Sequence, residues 1–331
     1  MTRHDVRVGV IGAGHWGMNL IRVCDELGAL AAVCDPSPDV LARVSQSYPH
    51  VAVFTDPANL LSEPIDAVFV AAPAELHAQL ALQSLGAGKH VFVEKPFTLS
   101  IGDAEAVAAA AVATRLQVFV GHLLIYHPAI RKLRAIIASG AIGRVWHLRS
   151  RRLSLGKLRH RESVWWSFAP HDVSLMLALM GQDPLGVTGA QAGWLTARTP
   201  DTAYADFQFA HGRSAHIEVS WLDPNKAWHF DVFGTEGVVT IAESPGSSRM
   251  TLARCGARAD ERGVLSAWRG AETEIPFEDV EPLRAEVFAF FASLRFGIAA
   301  ETDASEGLAV VRALAMADRA AHLPGPVEMR A

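Results

Sequence analysis

The stretch Val8-Gly-Val-Ile-Gly12-Ala-Gly14-His-Trp-Gly17 decides how the first third of this chain folds. Val8–Ile11 is an apolar run of strand length, and it leads straight into glycines with the spacing GxGxxG. The first glycine permits a tight turn. The second lets the backbone approach a pyrophosphate at a helix N-terminus, and the third lets that helix lie close on its strand. Leu20, Ile21, Cys24 and Leu27 then recur at helical spacing, and Gly28 is placed to end the helix. A second apolar run, Leu30–Cys34, ends in Asp35, 23 positions after Gly12. A carboxylate there can accept hydrogen bonds from both hydroxyls of an adenosine ribose. Gly12, Ala13, Gly14, His15, Trp16 and Asp35 are therefore the expected dinucleotide contacts, with Trp16 placed either to cover the pyrophosphate or to pack. Asp35 repels a 2′-phosphate, and Pro36-Ser37-Pro38 bring no cation to neutralise one, so NAD is expected rather than NADP.

Outward from this turn, apolar runs continue at Val51–Phe54, Ala67–Ala71, Val91–Val93 and Val118–Val120, alternating with helical patterns. Such runs predict strands buried on both faces of a mostly parallel sheet. Pro38 and Pro57 sit at first helical positions, preceded by the capping residues Ser37 and Asp56. After Gly121 the texture changes. A helix is expected over 128–139, then amphipathic strands at Ala203–Phe209, Ser214–Trp221, Trp228–Phe233 and Val238–Ile241, separated by turn residues, which read as an antiparallel meander. Helices over 281–294 and 305–320 close the chain. The expected organisation is an α/β protein: a doubly wound parallel sheet in residues 1–121, and in 122–331 a second α/β domain with a large, open, mainly antiparallel sheet. One face of that sheet is expected to be covered by another subunit, giving a homo-oligomer, dimer or tetramer.

Composition excludes several classes. The chain has 331 residues, 50% hydrophobic and 20% charged, enough to bury a substantial core. A net charge of −5 provides no basic field for nucleic acid. The N-terminus runs into a strand without a signal-peptide pattern, and no apolar run approaches the roughly 20 residues that span a bilayer, so a cytoplasmic protein with no membrane partner is expected. Cys24, Cys34 and Cys255 are scattered, and the 14 histidines form no His-x-x-x-His or His-Glu-x-x-His cluster, so neither a disulfide framework nor a metal site is expected.

The fifth strand ends in Glu94-Lys95-Pro96, and in such sheets the carboxyl ends of the strands border the ligand crevice. Read alone, Lys95 is either a solvated charge or a cation beside a developing alkoxide. Gly12-Ala13-Gly14, Ala71-Ala72-Pro73 with His77, Gly88-Lys-His-Val-Phe-Val-Glu-Lys-Pro96 and Ser139-Gly-Ala-Ile-Gly143 together resemble the Gfo/Idh/MocA oxidoreductases, over essentially the whole chain. The resemblance implies a Rossmann domain, NAD(P) as cofactor, sugar or cyclitol substrates, and a catalytic Lys95. It adds Ala72, Pro73, His77, Glu94, Lys95 and His122 to the expected cofactor site. The family's second catalytic position is often a histidine in Asp-x-x-x-His. His171 of Ser167-Phe-Ala-Pro-His171-Asp172 matches it and is the expected general base, while Ser167 stands where the acid would be.

Two further tracts, 121–128 and 155–172, resemble nucleotide-sugar dehydrogenases, in particular the group that oxidises the 3-hydroxyl of UDP-N-acetylglucosamine to a 3-keto sugar for diamino-sugar and lipid A synthesis. Lys157, Arg159, His160 and Arg161 lie just before His171 and are placed either to neutralise a diphosphate or to remain solvated or intersubunit. With Tyr126, His127, Lys95 and His171 they make up the expected substrate contacts.

Overall fold

The structure is a computed structural model that describes residues 6–155, 162–195 and 199–321. Its first sheet has six parallel strands: β1 Val8–Ile11, β2 Leu30–Cys34, β3 Ala52–Phe54, β4 Ala67–Val70, β5 His90–Val93 and β6 Val118–Val120, in the spatial order β3-β2-β1-β4-β5-β6. The connections run through α1 His15–Glu26, α2 Pro38–Ser47, α3 Pro57–Leu61, α4 His77–Gly86 and α5 Ile101–Thr114. The strand order reverses between β1 and β4, the switch point at which open α/β sheets bind ligands. Ser37 and Asp56 cap α2 and α3 as expected, each accepting a backbone N–H of the first turn. β1, β4 and β6 are buried throughout, whereas β3 is an edge strand with Ala52 exposed.

The chain continues through α6 Pro128–Ala138, β7 Val145–Leu153, α7 Val164–Met180, β8 Gly186–Ala192, β9 Thr202–Gln208, β10 Ser214–Ser220, β11 Ala227–Gly234, β12 Gly237–Ser244, β13 Ser247–Ala259 and β14 Leu265–Glu274. These strands form one sheet of eight in the order β14-β13-β12-β11-β7-β10-β9-β8. The expected meander is corrected in one respect. β7 lies between β10 and β11, parallel to the first (Ser150 beside Ile217) and antiparallel to the second (Ser150 beside Phe230). The connection from β10 to β11 contains Asp223-Pro224-Asn225 instead of a two-residue hairpin turn, and this length lets the chain step across β7. Alternation sorts the side chains. Ala215, Ile217, Val219, Trp228, Phe230, Val232, Val239 and Ile241 are buried on the face where α7 lies. The opposite face carries cross-strand polar pairs, Arg149–Asp231 at 2.8 Å, Arg151–Glu218 at 2.9 Å and His216–Asp206 at 2.8 Å.

Two helices follow, α8 Pro282–Phe296 and α9 Ala304–Ala321. The contacts divide the chain into two compact units. One holds the chain up to His127 together with Val280–Val311, and the other holds Pro128–Asp279 and the chain from Arg312. α8 thus completes the core of the first unit. Phe69, Phe92 and Phe119, in register across β4, β5 and β6, stack with ring centroids 4.7 and 5.2 Å apart, and Phe290 of α8 lies 5.7 Å from Phe92 and 5.3 Å from Phe119. Among the described residues no helix is long and apolar enough to cross a membrane.

Glu286 of α8 sits on this apolar side, 0% exposed, and neither of its carboxylate oxygens has a hydrogen-bond partner among the described residues. Burial, and then the charge of Glu94, hold its carboxyl well above the usual carboxylate range. An unfolded glutamate loses its proton near pH ~4.3, while the folded one keeps it. Stability therefore falls by about 1.4 kcal/mol for each pH unit across that window. Glu286→Gln removes this dependence. In urea denaturation the variant should match the wild-type chain at about pH 5 and exceed it at about pH 8, and a constant difference between the two would contradict a neutral buried Glu286.

Candidate active site

The glycine turn is dictated by contact distances. A Cβ on Gly17 would lie 1.9 Å from the Gly12 carbonyl oxygen, and one on Gly12, whose φ is +97°, would lie 2.6 Å from the Ala71 carbonyl oxygen. Gly14 is different: nothing stands within 4 Å of the position of its Cβ, and it precedes α1 with no side chain capping the first turn. The free N–H groups and the helix dipole at that point suit an anion. Asp35 at the end of β2 holds the turn from the side. Its Oδ2 accepts the Ala13 N–H at 2.8 Å and its Oδ1 accepts the Ser37 N–H at 2.9 Å. Each oxygen keeps a second lone pair for a ribose hydroxyl. An open glycine, an uncapped helix start and an oriented carboxylate fit the pyrophosphate and adenosine ribose of NAD.

Next to this cradle, the indole N–H of Trp16, which is 39% exposed, donates to Glu94 Oε1. Trp16 thereby ties the start of α1 to the end of β5. Burial pushes the Glu94 carboxyl up to about 7, against the opposing pull of the Trp16 hydrogen bond and the Lys95 charge. Lys95 follows, half-buried, and the Lys95–Pro96 peptide is cis. His77 is buried between two carbonyls, with Nδ1 2.8 Å from Pro96 O and Nε2 2.9 Å from Ala72 O, so its ring staples the loop after β4 to the loop after β5. Pro73 opens the turn that leads into α4.

His122, 1% exposed, directs Nδ1 to Glu306 Oε2 at 2.7 Å, and its buried Nε2 has no hydrogen-bond partner among the described residues. Tyr126 lies in the core. Its ring stacks on Phe119, its hydroxyl is 3.0 Å from Thr302 Oγ1, and burial pushes its phenol up. His127 is also buried. Glu286 and Glu306 were not among the expected site residues. For Glu286 a signal was present, since Leu283, Glu286, Val287 and Phe290 share one helical stripe and put a carboxylate among apolar residues.

In the second unit, His171 occupies α7 directly after Pro170 and is partly exposed, and Ser167, one turn earlier, is buried. Asp172 is wholly buried and takes hydrogen bonds from Ser150, Arg152 and Trp228. Lys157, Arg159, His160 and Arg161 lie outside the described residues. Among the described residues no group of three or more His, Cys, Asp or Glu side chains could hold a metal ion.

Residues 6–122 match the family model described as the oxidoreductase family with an NAD-binding Rossmann fold, and residues 130–240 match that of the GFO/IDH/MocA C-terminal domain. The chain is 31% identical to UDP-N-acetylglucosamine 3-dehydrogenase of Acidithiobacillus ferrooxidans over 71% of its own length and 74% of the relative's. A solved structure of a dehydrogenase of that name from the same organism superposes with a TM-score of 0.84 at 26% identity, covering 95% of this chain and 96% of that one. The WlbA dehydrogenase of Bordetella pertussis, solved with NADH and UDP-GlcNAcA, shares the fold at a TM-score of 0.79 and 21% identity over 98% and 99% of the two chains. A 2,7-anhydro-N-acetylneuraminate hydratase of Escherichia coli is 25% identical over 74% of this chain and 70% of its own. With its NAD cradle on an NAD-binding Rossmann sheet and the second sheet that follows, the chain belongs to the Gfo/Idh/MocA family of oxidoreductases.

Proposed function

We propose that this protein oxidises the 3-hydroxyl of a nucleotide sugar, UDP-N-acetylglucosamine, to the 3-keto derivative. The observation that carries the substrate is the 31% identity to a UDP-N-acetylglucosamine 3-dehydrogenase across about three-quarters of that protein. NAD, when bound, supplies the hydride acceptor. His171 takes the hydroxyl proton as the C3–H bond breaks and the C3–O bond becomes a carbonyl. Lys95 holds its positive charge beside the oxygen and lowers the cost of the developing alkoxide. Lys157, Arg159, His160 and Arg161 supply the charge that a diphosphate needs. A 3-keto sugar nucleotide is a substrate for transamination, which places the reaction before a diamino sugar such as that of lipid A. Cofactor binding is assigned to residues 1–121. Substrate binding and self-association through the open sheet are assigned to residues 122–331, of which Val280–Val311 completes the core of the first unit.

A second reading is favoured by the relative named for a hydratase reaction, which involves no net change in oxidation state. In it NAD stays bound and is regenerated within each turnover. Incubation of the purified protein with NAD and UDP-N-acetylglucosamine separates the two. NADH absorbance together with a two-hydrogen loss of sugar-nucleotide mass is the expected result, with UDP-glucose and UDP-N-acetylglucosaminuronic acid as controls. Product without NADH would transfer the conclusion to the second reading.

Lys95→Ala and His171→Ala should each lower kcat by on the order of 100-fold or more while NAD affinity stays within a few-fold. Equal losses of turnover and NAD binding would remove these roles. Asp35→Ala removes the acceptor of the Ala13 N–H and of the ribose hydroxyls, and should weaken NAD at least about tenfold, or ~1.4 kcal/mol, in a fluorescence titration. Light scattering should give the mass of a dimer or tetramer, and a monomer at working concentration would contradict self-association.

A further inference from the structure

α7 runs as one helix from Val164 to Met180 through the proposed base, but it lacks a backbone hydrogen bond just before it. Ser163 caps it by accepting the Trp166 N–H, but Pro170 lies inside the helix and has no N–H to give to the carbonyl four residues earlier. The helix is therefore least constrained by its own backbone at the position just before His171. No acid stands one turn earlier to orient the imidazole from the side, since position 167 is serine.

Immediately beyond, the constraint is restored by side chains. Asp172 is 0% exposed, and its carboxylate receives four hydrogen bonds from three residues of the second sheet. Oδ1 accepts Ser150 Oγ–H at 2.7 Å, the Trp228 indole N–H at 2.9 Å and Arg152 Nη2 at 3.0 Å, and Oδ2 accepts Arg152 Nε at 2.6 Å. Ser150 and Arg152 are two apart on β7 and so share a face, and Trp228 of β11 is directly opposite Arg152 in the register. The Arg152 guanidinium also lies 5.1 Å from the Trp228 ring centroid. The buried carboxylate is thus neutralised, and it is bonded from two directions by a forked donor and a flat one.

We propose that Asp172, held by Arg152, Trp228 and Ser150, is the positioning residue for His171: it fixes the rotation of α7 just past Pro170 and so sets the direction in which the neighbouring imidazole faces. This rests on the reading of His171 as the base. Successive helical residues are about 100° apart, so a modest rotation about the axis swings the imidazole away from a reacting hydroxyl, and a misplacement of about 1 Å lowers rates on the order of 100-fold.

The test uses the full-length protein with two readouts. One is kcat and KM for UDP-N-acetylglucosamine across pH. The other is the His171 ring resonance in histidine-selective NMR, assigned by its loss in His171→Asn. Asp172→Asn turns an N–H₂ toward a guanidinium that can only donate, and Trp228→Phe removes one donor while keeping a ring in place. Asp172→Asn should lower kcat about 10- to 100-fold with NAD affinity unchanged, and should shift both the His171 resonance and the acid limb of the pH profile. Trp228→Phe should do the same to a smaller extent, and it carries the test if Asp172→Asn does not fold. Folded variants with lowered melting temperature but an unmoved resonance and wild-type kcat would reduce Asp172 to a structural anchor and overturn the proposal. A wild-type chain silent on every nucleotide sugar would sink the substrate reading alone, because the resonance still decides whether Asp172 orients His171.

Discussion

No side chain fits between Gly17 and the carbonyl of Gly12, and the cofactor unit is arranged around that approach. It brings α1 down onto the end of β1 and leaves its first N–H groups facing outward. The carboxylate of Asp35 then fixes the turn from β2 through the Ala13 N–H, and the indole of Trp16 reaches across to Glu94 at the end of β5. Three strands are in this way referred to one turn, and the site inherits its geometry from backbone contact. An open loop of the same composition would have to be ordered by its ligand, at a cost in conformational entropy.

Much of this was legible in the residues because it depends on local rules. Glycine spacing, strand length, proline at the first helical turn and a carboxylate at a strand end each carry their meaning within a short window, and the first sheet follows from them. The second sheet was read less well. Four of its eight strands, β9 to β12, were visible through alternation, but β7, β8, β13 and β14 were not named; β7 sits between strands that are neighbours in sequence order, and no local pattern in Val145–Leu153 states which strands it will separate. The length of the connection after β10 was the available clue. Sites show the same division. The glycine turn and the Asp35 carboxylate that braces it were reachable from motif and position, whereas the polar contacts of Asp172 join residues 20 to 56 positions apart and exist only once the sheet has formed. Tyr126 illustrates the opposite case: as a polar residue near a motif it read as a ligand contact, yet its ring and hydroxyl are used inside the core.

Two buried acids show how differently the two units handle charge. Asp172 is surrounded by donors and a cation, so its burial is compensated by strong hydrogen bonds. Among the described residues Glu286 has no hydrogen-bond donor at either oxygen, so keeping its proton is the way it tolerates the core. The first arrangement orders neighbouring groups. The second leaves a neutral acid in the core of the first unit, close enough for the charge of Glu94 to be felt.

The division of the chain also sets an order of events during synthesis. The aromatic face formed by Phe69, Phe92 and Phe119 emerges early, while the helix that covers it, with Phe290, is encoded more than 160 residues later. A ribosome must therefore produce the whole second sheet before the first unit can close. Until then the nascent chain carries a completed glycine turn above an uncovered apolar surface, the kind of surface that chaperones retain and that drives aggregation when translation stops early.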